Sequence, residues 1–239
     1  MNENEKLKKM IELKSDLISI SAHQLRTSLS AMKWTFKMLI DKDVGDINPE
    51  QEGMLKKSLE SSERMVKLVN EMISINHAED ISFKYNFDDI QIRALIEDVL
   101  LDFSEESYKK GVKLVFEKPK TKLSLVHIDD EKIRVVIQNL IENSIKYSEK
   151  GDKVFISNNQ KDNFIEISVK DTGIGIPQND QEKIFGKFFR ASNAKKKEQV
   201  GSGLGLYTIK GIVEKHGGKI WFKSNNKGTT FYFTVPLSK

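Results

Sequence analysis

A single histidine stands out among the residues that could carry out chemistry. In the segment Ser21-Ala-His-Gln-Leu-Arg-Thr27, His23 directly follows Ala22, which belongs to a helical repeat of apolar residues. The His23 ring is therefore expected to point away from the apolar seam and to reach solvent. A neutral imidazole is a competent nucleophile near neutral pH, because its reference pKa is about 6.5. One exposed histidine is weak evidence by itself.

A second set of polar residues lies on one face of a helix predicted over residues 130–147. Asn139, Asn143 and Lys146 are spaced by four and three residues, and Tyr147 follows directly. Residues with this spacing share a helix face. Amide oxygens suit Mg²⁺, which also keeps waters and substrate phosphates as ligands. The set predicts a nucleotide site, with a solvated polar face as the alternative.

Two glycine clusters supply backbone that a phosphate could approach closely. Asp171-Thr-Gly-Ile-Gly-Ile-Pro177 follows a predicted strand, and Gly201-Ser-Gly-Leu-Gly-Leu206 opens a predicted helix. Glycines before a helix expose backbone N–H groups, and the helix N-terminus favours an anion. Neither cluster matches the dinucleotide or P-loop pattern. Taken alone, each is as typical of an ordinary turn as of a phosphate site.

The apolar periodicity that must position these residues changes near residue 80. Before that point, apolar residues alternate at spacings of four and three, which predicts two long packed helices. The segment Asp41–Pro49 predicts the turn, with Asn48 as N-cap and Pro49 as the first helical residue. Two helices cannot bury both flanks of wide apolar seams. We therefore expect a homodimeric four-helix bundle, with packing of the hairpin on the second part as the alternative.

Beyond residue 80 the sequence predicts interleaved strands and helices. Strands are predicted at 83–88, 112–117, 122–128, 153–159, 163–170, 219–225 and 229–237, and helices at 89–110, 130–147 and 204–216. Several strands form hairpins, so the sheet should be mixed, with helices on one face. The segment 171–203 is too long for a simple connector and predicts a ligand lid. The fold class is therefore α+β, with domains at 1–79 and 80–239.

Composition excludes several classes of protein. The 239 residues include no cysteine, which excludes a disulfide scaffold and a thiolate site and fits a reducing, cytoplasmic environment. No run approaches about 18 consecutive apolar residues, and the N-terminus has no apolar signal segment, so neither a membrane span nor a secretory signal is expected. The net charge is +4, yet no basic recognition element predicts nucleic-acid binding.

Together the motifs resemble the catalytic half of a sensor histidine kinase of two-component systems, over essentially the whole chain. His23–Thr27 resembles the H box of that family, Asn139–Tyr147 its N box, Asp171–Pro177 its first glycine box, Ile184–Asn193 its F box and Gly201–Leu206 its second glycine box. Five boxes in the family's order are far more specific than any one of them. The resemblance implies a dimerisation and phosphotransfer hairpin followed by a Bergerat-type ATP-binding domain.

The resemblance also implies ATP and Mg²⁺ as cofactors and a role for each motif residue. His23 would be the phosphoacceptor, and Asp171 would accept a hydrogen bond from the adenine amino group. Thr27 would position a water for dephosphorylating the partner. Asn143 would bind the metal, with Asn139 in the same or a supporting role, and Lys146 would contact phosphate. Tyr147 would lie against the nucleotide, and Gly173 and Gly175 would lie at the base. The lid residues would be Gly201, Gly203, Gly205 and Leu206, and Arg190 would contact phosphate or the other domain.

The implied activity is ATP-dependent phosphorylation of His23, followed by transfer to an aspartate of a response-regulator receiver domain. The family's F box implies that Phe185, Phe188 and Phe189 anchor the lid to the core or the bundle. Residues 76–80 are expected to form the interdomain hinge. The sequence contains no sensor module. The chain is therefore expected to be either a piece of a larger membrane sensor or a kinase controlled by another protein.

Two positions depart from the family pattern. Gln24 stands where an acidic residue is usual, and an amide can orient the imidazole but cannot take its proton, a loss of about 100-fold or more. Ser28 stands where proline is usual, which predicts a straighter helix. Gln24 leaves open a weakly active scaffold or phosphatase. A related ATPase of the DNA gyrase or mismatch-repair type is a further alternative, which the hairpin carrying His23 disfavours. An anti-sigma serine kinase is another, and it needs no phosphoacceptor on its own chain, so His23→Ala would leave its activity intact.

Residues outside the motifs receive structural interpretations. His77, His127 and His216 are expected to be structural or surface residues. His216 precedes Gly217, where a basic residue suits a helix C-terminus. Lys195–Lys197 is expected to lie in a solvated loop, with electrostatic attraction of ATP as the alternative.

Overall fold

The structure, a computed structural model, describes residues 3–79, 85–119, 121, 123–198 and 201–238. Side chains are described from residue 18 onward, apart from those of residues 19, 71, 72 and 74–79. The chain forms two compact units, Met1–Ser82 and Phe83–Lys239.

The first unit is the predicted helical hairpin. Helix α1 covers Glu3–Ile40 and helix α2 covers Pro49–Glu79. Asn48 caps α2, since its Oδ1 accepts a hydrogen bond from Gln51 N at 2.8 Å while Gln51 Oε1 accepts one from Asn48 N at 2.9 Å. This reciprocal pair satisfies two backbone donors that the helix leaves unpaired. The predicted turn and N-cap are confirmed.

Apolar contacts and one ion pair determine how the two helices of the hairpin align. Ala22, Leu29 and Val69 are buried between α1 and α2. Lys33 pairs with Glu63 across the hairpin at 2.8 Å. Of the hinge predicted at residues 76–80, residues 76–79 belong to α2 and residue 80 lies outside the described residues, so the hinge stays a prediction.

The second unit combines a mixed sheet with helices. Its elements are β1 (Asp88–Ile90), α3 (Ile92–Asp102), α4 (Ser104–Lys110), β2 (Lys113–Glu117), β3 (Val126–Ile128), α5 (Asp130–Tyr147), β4 (Lys153–Lys161), β5 (Phe164–Asp171), α6 (Ser192–Lys197), α7 (Gly205–Lys215), β6 (Ile220–Asn225) and β7 (Gly228–Pro236). The five-stranded sheet has the order β2-β4-β5-β7-β6, in which β2 runs parallel to β4 and the other neighbours are antiparallel. Strands β1 and β3 form a separate antiparallel pair.

The core of the second unit lies between one face of the sheet and the helices. In the central strand β5, Ile165, Ile167 and Val169 are fully buried, while the alternating residues are at least partly exposed. Apolar residues at helical spacing on α5, such as Ile133 and Ile137, are fully buried in the same core. The apolar residues that alternate along β5 and those at helical spacing on α5 thus pack together in one apolar layer. The predicted mixed sheet with helices on one face is confirmed.

Three predicted elements differ in the structure. The strand predicted at 83–88 lies instead at 88–90, with residues 83 and 84 outside the described ones. Of the strand predicted at 122–128, residue 122 lies outside the described residues, and among 123–128 only 126–128 form a strand, because that stretch pairs with β1. The helix predicted at 89–110 breaks at Phe103, where the Ser104 hydroxyl donates to the carbonyl of Leu101 at 2.7 Å.

The segment 171–203 contains more regular structure than the sequence indicated. A 3₁₀ turn covers Gln178–Lys183, and α6 follows before the second glycine cluster. Asp180 joins the two, since its Oδ2 accepts hydrogen bonds from the backbone N and the hydroxyl of Ser192 at 2.7 and 2.8 Å. These two bonds lower the pKa of Asp180. Over residues 171–198, the lid therefore contains regular structure with its own internal contacts.

Candidate active site

His23 occupies the position that the seam predicts. Ala22 is buried and His23 is exposed on the next position of α1. Gln24 is exposed beside it, and the Thr27 hydroxyl donates to the carbonyl of His23 at 3.0 Å. The helix continues without interruption through Ser28, whose hydroxyl donates to the carbonyl of Gln24 at 3.1 Å.

A polar clamp beside His23 was not predicted from the sequence. Arg26 donates through Nε and Nη2 to Oδ1 of Asn70 on α2, at 3.1 and 2.8 Å. A guanidinium that grips one amide oxygen with two donors fixes both position and rotation. The clamp therefore sets the register of the two helices three residues from His23. The sequence did not predict this clamp, because its two residues lie 44 positions apart and belong to no local motif.

Asp171 lies buried at the end of β5. Its Oδ1 accepts hydrogen bonds from Gly173 N at 3.0 Å and from Thr229 N at 3.1 Å. No other described residue donates to its second oxygen, Oδ2. Burial raises the pKa of Asp171, although the two backbone bonds act in the opposite direction. The arrangement holds the carboxyl group still and leaves Oδ2 available to a ligand donor.

The first glycine cluster contains the close approaches that require glycine. Gly175 has φ +63°, and a side chain there would collide with the carbonyl of Asn225 in the β6–β7 hairpin. A Cβ at Gly173 would lie 2.5 Å from the carbonyl of Tyr147. The loop after Asp171 therefore fits against both the hairpin and the end of α5.

The N-box asparagines meet each other and the start of α7. Asn143 Nδ2 donates to Asn139 Oδ1 at 3.0 Å, and both side chains are partly buried. A side chain at Gly205 would collide with Nδ2 of Asn139. Lys146 and Tyr147 follow on the same helix, with Lys146 Nζ 5.9 Å from the Tyr147 ring centroid. The structure therefore brings the N box and the second glycine box together.

Arg190 lies within the lid and binds lid carbonyls. Its guanidinium donates to the carbonyls of Ala194, Glu198 and Gly201. Gly203 has φ +73°, and a Cβ there would lie 2.6 Å from the backbone of Phe188. The second glycine cluster is thus folded against the F box. Leu206, just beyond it, packs on the core of the second unit.

The three F-box phenylalanines have two different environments. Phe185 and Phe189 pack against the core, with the Phe185 ring centroid 6.1 Å from that of Phe222. Phe188 is 72% exposed and adopts φ +60°. The interpretation as anchors to the core of the second unit therefore describes Phe185 and Phe189 but not Phe188.

Further lid contacts were missed in the sequence. Asn193 Nδ2 donates to the carbonyl of Gly175 at 2.9 Å, which ties α6 to the first glycine cluster. Of the three lysines expected in a solvated loop, Lys195 and Lys196 are exposed, but Lys197 binds backbone carbonyls at the end of α5. No sequence signal distinguishes these three lysines from one another.

His216 is structural, as predicted, but its expected positive charge is wrong. It is buried, its Nδ1 donates to the carbonyl of Ile212 at 2.8 Å, and its Nε2 accepts from Asp129 N at 3.1 Å. A ring that accepts through Nε2 is neutral. Burial lowers the pKa of His216. The residue therefore connects α7 to the start of α5 as a neutral ring and not as a cation at the helix end.

Two family models match the chain. The model for the His Kinase A (phospho-acceptor) domain matches residues 13–80. The model for histidine kinase-, DNA gyrase B- and HSP90-like ATPases matches residues 128–239. The first match contains His23, and the second contains Asp171 and both glycine clusters.

The chain is similar to named sensor kinases along almost its whole length. It is 35% identical over 236 residues to the sensor histidine kinase WalK of Bacillus subtilis, and 29% identical over 226 residues to the sensor protein SrrB of Staphylococcus aureus. These alignments cover 97% and 94% of this chain. The chain spans 38% of the length of either relative.

Solved structures show the same fold. The catalytic domain of the histidine kinase ThkA matches 64% of this chain and 96% of its own, with a TM-score of 0.56 and 30% identity. Full-length ShkA in complex with AMPPNP matches 94% of this chain and 46% of its own, with a TM-score of 0.79 and 20% identity. The chain belongs to the sensor histidine kinases of two-component systems. In particular, it carries the phospho-acceptor and ATPase domains of that family. Within the described residues, no helix is both long and apolar enough to span a membrane.

Proposed function

We propose that this protein uses ATP to phosphorylate its own His23 and passes the phosphoryl group to an aspartate of a response-regulator receiver domain. Residues 1–79 would act in dimerisation and phosphotransfer, and residues 80–239 would bind ATP. One observation carries the proposal. The chain combines an exposed His23 beside a buried helical seam with a site where Asp171 and the N box meet two glycine clusters.

Recognition of adenine rests on Asp171. Its Oδ1 is held by two backbone donors, so Oδ2 is positioned to accept a hydrogen bond from the 6-amino group of adenine, where guanine carries a carbonyl. Gly173 and Gly175 let the backbone pass close to the base, and Tyr147 would lie against the nucleotide. The ATPase family model over residues 128–239 supports ATP as the substrate.

Asn143 fits a Mg²⁺ ligand. Its Nδ2 donates to Asn139 Oδ1, so Oδ1 of Asn143 remains free to bind a cation, and Asn139 orients it. No group of three His, Asp or Glu suited to a metal occurs among the described residues, which agrees with an ion held largely by water and phosphate. When bound, Mg²⁺ would spread the charge of the triphosphate.

The residues of the chain then divide the work of transfer. Lys146 and the backbone of Gly201, Gly203 and Gly205 would bind the phosphates and hold the γ-phosphoryl group in line. A nitrogen of the His23 imidazole forms a bond to the γ-phosphorus as the bond to the β–γ bridging oxygen breaks, and ADP leaves. The ring proton passes to water or to a carboxylate, since the Gln24 amide cannot take it.

A homodimer completes the hairpin in this proposal. Leu25, Met65 and Leu68 belong to the predicted apolar seams, and they are 52%, 44% and 43% exposed in the single chain. Large apolar side chains at helical spacing along two paired helices are typical of a four-helix bundle. The receiver domain would dock on the polar face around His23.

Dephosphorylation of the regulator is a second candidate activity, favoured by Thr27. The Thr27 hydroxyl donates to the His23 carbonyl, so its oxygen still accepts a hydrogen bond from a water next to the histidine. That role needs no base at position 24. Gln24 therefore affects the two activities differently.

The test follows label from γ-labelled ATP with Mg²⁺ into the parent chain, His23→Ala and Gln24→Glu. We expect acid-labile, alkali-stable label in the parent and none in His23→Ala. Gln24→Glu should label about tenfold or more faster, because it supplies a base. Label that persists in His23→Ala would contradict the assignment of the acceptor. ATP binding without any label in the parent would leave the phosphatase activity as the better reading.

A further inference from the structure

The C-terminal end of α5 receives two lysine side chains from other parts of the second unit. Lys110 Nζ donates to the carbonyl of Lys146 at 2.6 Å. Lys197 Nζ, from lid helix α6, donates to the carbonyls of Tyr147 and Ser148 at 3.1 and 3.2 Å. The last carbonyls of a helix lack partners within it and lie at the negative end of its dipole. The two ammonium groups therefore stabilise the helix end that carries the N box.

Lys197 differs from its neighbours in the lid. Its side chain is 19% exposed and pairs with Glu149 at 2.6 Å, whereas Lys195 and Lys196 are exposed. Glu149 is 75% exposed, so the ion pair alone contributes little. The stronger tie is the pair of charge-assisted hydrogen bonds to the two carbonyls. Lys197 is therefore held by the backbone of α5 more than by its carboxylate partner.

The carbonyl of Tyr147 joins three segments of the site. It accepts from Lys197 of the lid and, at 3.3 Å, from the backbone N of Ile174 in the first glycine cluster. The same carbonyl is the atom that a Cβ at Gly173 would meet. Loss of the lid lysine would therefore leave the Tyr147 carbonyl held, among the described residues, by Ile174 N alone and would remove the tie between the lid helix and this junction.

We propose that Lys197 is a positioning residue for ATP binding, because it holds lid helix α6 on the carbonyls of Tyr147 and Ser148. The inference rests on the proposed ATP-binding function. In this role the ammonium acts through protein carbonyls that position the base side of the pocket. A lysine that contacted phosphate directly would act on the phosphates alone.

The experiment measures the affinities of ATP, ADP and AMP for the full chain, by competition with a fluorescent ATP analogue. Lys197→Met should weaken the affinity for each of the three nucleotides by a similar factor of about ten, since the free energy of hydrogen bonds of this kind corresponds to roughly that change in affinity. Lys197→Arg should restore most of the loss, because a guanidinium can also donate to two carbonyls. Lys196→Met removes the same charge from an exposed position of α6 and should stay within about twofold of the parent.

Glu149→Gln separates positioning from direct phosphate contact. If Lys197 is a positioning residue, loss of its carboxylate partner should weaken the three nucleotides equally and slightly, by about twofold. Tighter ATP binding in Glu149→Gln, or a loss in Lys197→Met that is graded from ATP to AMP, would overturn the proposal in favour of phosphate contact. Unchanged affinities in Lys197→Met would also overturn it. A parent chain that binds no nucleotide would remove the proposed function itself.

Discussion

The two units differ in how completely each buries its own apolar residues. The second unit has a continuous core, in which side chains as large as Ile137 and Phe233 are fully buried. Among the described apolar residues of the hairpin, the buried ones are Ala22, Leu29 and Val69. Larger residues of the same helices stay exposed, and Leu25 is 52% exposed.

This difference agrees with the proposal that the second unit is self-sufficient and that the hairpin needs a partner. A sheet covered by helices closes an apolar layer within one chain. Two paired helices carry apolar residues on more than one side, and pairing within one chain buries only one of those sides. The nucleotide site should therefore be formed in a single chain, while the surroundings of His23 should depend on protein concentration.

The largest expected effect breaks the second unit alone. Phe233→Ala removes a fully buried ring from β7 and should lower the free energy of unfolding of that unit by about 3–5 kcal/mol, because a cavity remains. Denaturant unfolding followed by near-UV circular dichroism measures the change. Phe188→Ala is the matched control, since Phe188 is 72% exposed and its loss should cost at most about 0.5 kcal/mol. Equal losses for both variants would contradict the described core.

The next largest effect is a loss of dimerisation through the hairpin that leaves the second unit intact. Leu25→Glu with Leu68→Glu places like charges on the exposed seam and should weaken dimerisation by about 100-fold or more, a value that sedimentation equilibrium measures. Val44→Glu is the control, since Val44 is 61% exposed but lies in the turn between the helices. A dimer that survives the double substitution would point to a different interface.

Asp171→Asn sharpens the comparison, because it should weaken ATP binding and yet raise the free energy of unfolding of the second unit. An amide cannot accept the adenine amino group through the atom that replaces Oδ2, so ATP affinity should fall by roughly 10- to 100-fold. Because burial raises the pKa of Asp171, the folded state binds more protons than the unfolded state at pH values between the ordinary aspartate pKa and the raised one. The free energy of unfolding therefore falls as pH rises through that range. The asparagine variant does not titrate there and should not show this fall.

Calorimetry of ATP binding and thermal unfolding at several pH values test both parts. His23→Ala serves as the control and should keep the parent's ATP affinity, since it alters only the first unit. A variant that loses both ATP affinity and stability would indicate that Asp171 is mainly structural.

The smallest effect concerns pH and His216. Burial lowers its pKa, so below the ordinary histidine value the unfolded state binds the proton more readily than the folded state. The stability of the second unit should therefore decline as pH falls from about 7 to 5, by up to about 1.4 kcal/mol per pH unit. His216→Gln should flatten that slope. An NMR titration in which the parent's ring protonates in its ordinary range would contradict the neutral, buried role.

The helix at 130–147 and the strand hairpins were predictable because each has an unbroken period of its own. The capped start of α2 was predictable from Asn48 and Pro49 alone. The break at Phe103 was not, because it depends on the Ser104 hydroxyl and on packing of the ring against the core. The strand near residue 88 was misplaced, since a short strand is defined by its partner.

The candidate site divides in the same way. The sequence by itself determined which residue types are present, the five boxes and the periodicity that places His23 one step from a buried seam. Only the tertiary structure decided that Thr229 N holds Asp171, that Arg26 grips Asn70, and that Lys197 rather than its neighbours reaches α5. Local sequence fixes backbone propensity and the face of an element. Contacts between residues tens of positions apart form only when whole elements pack.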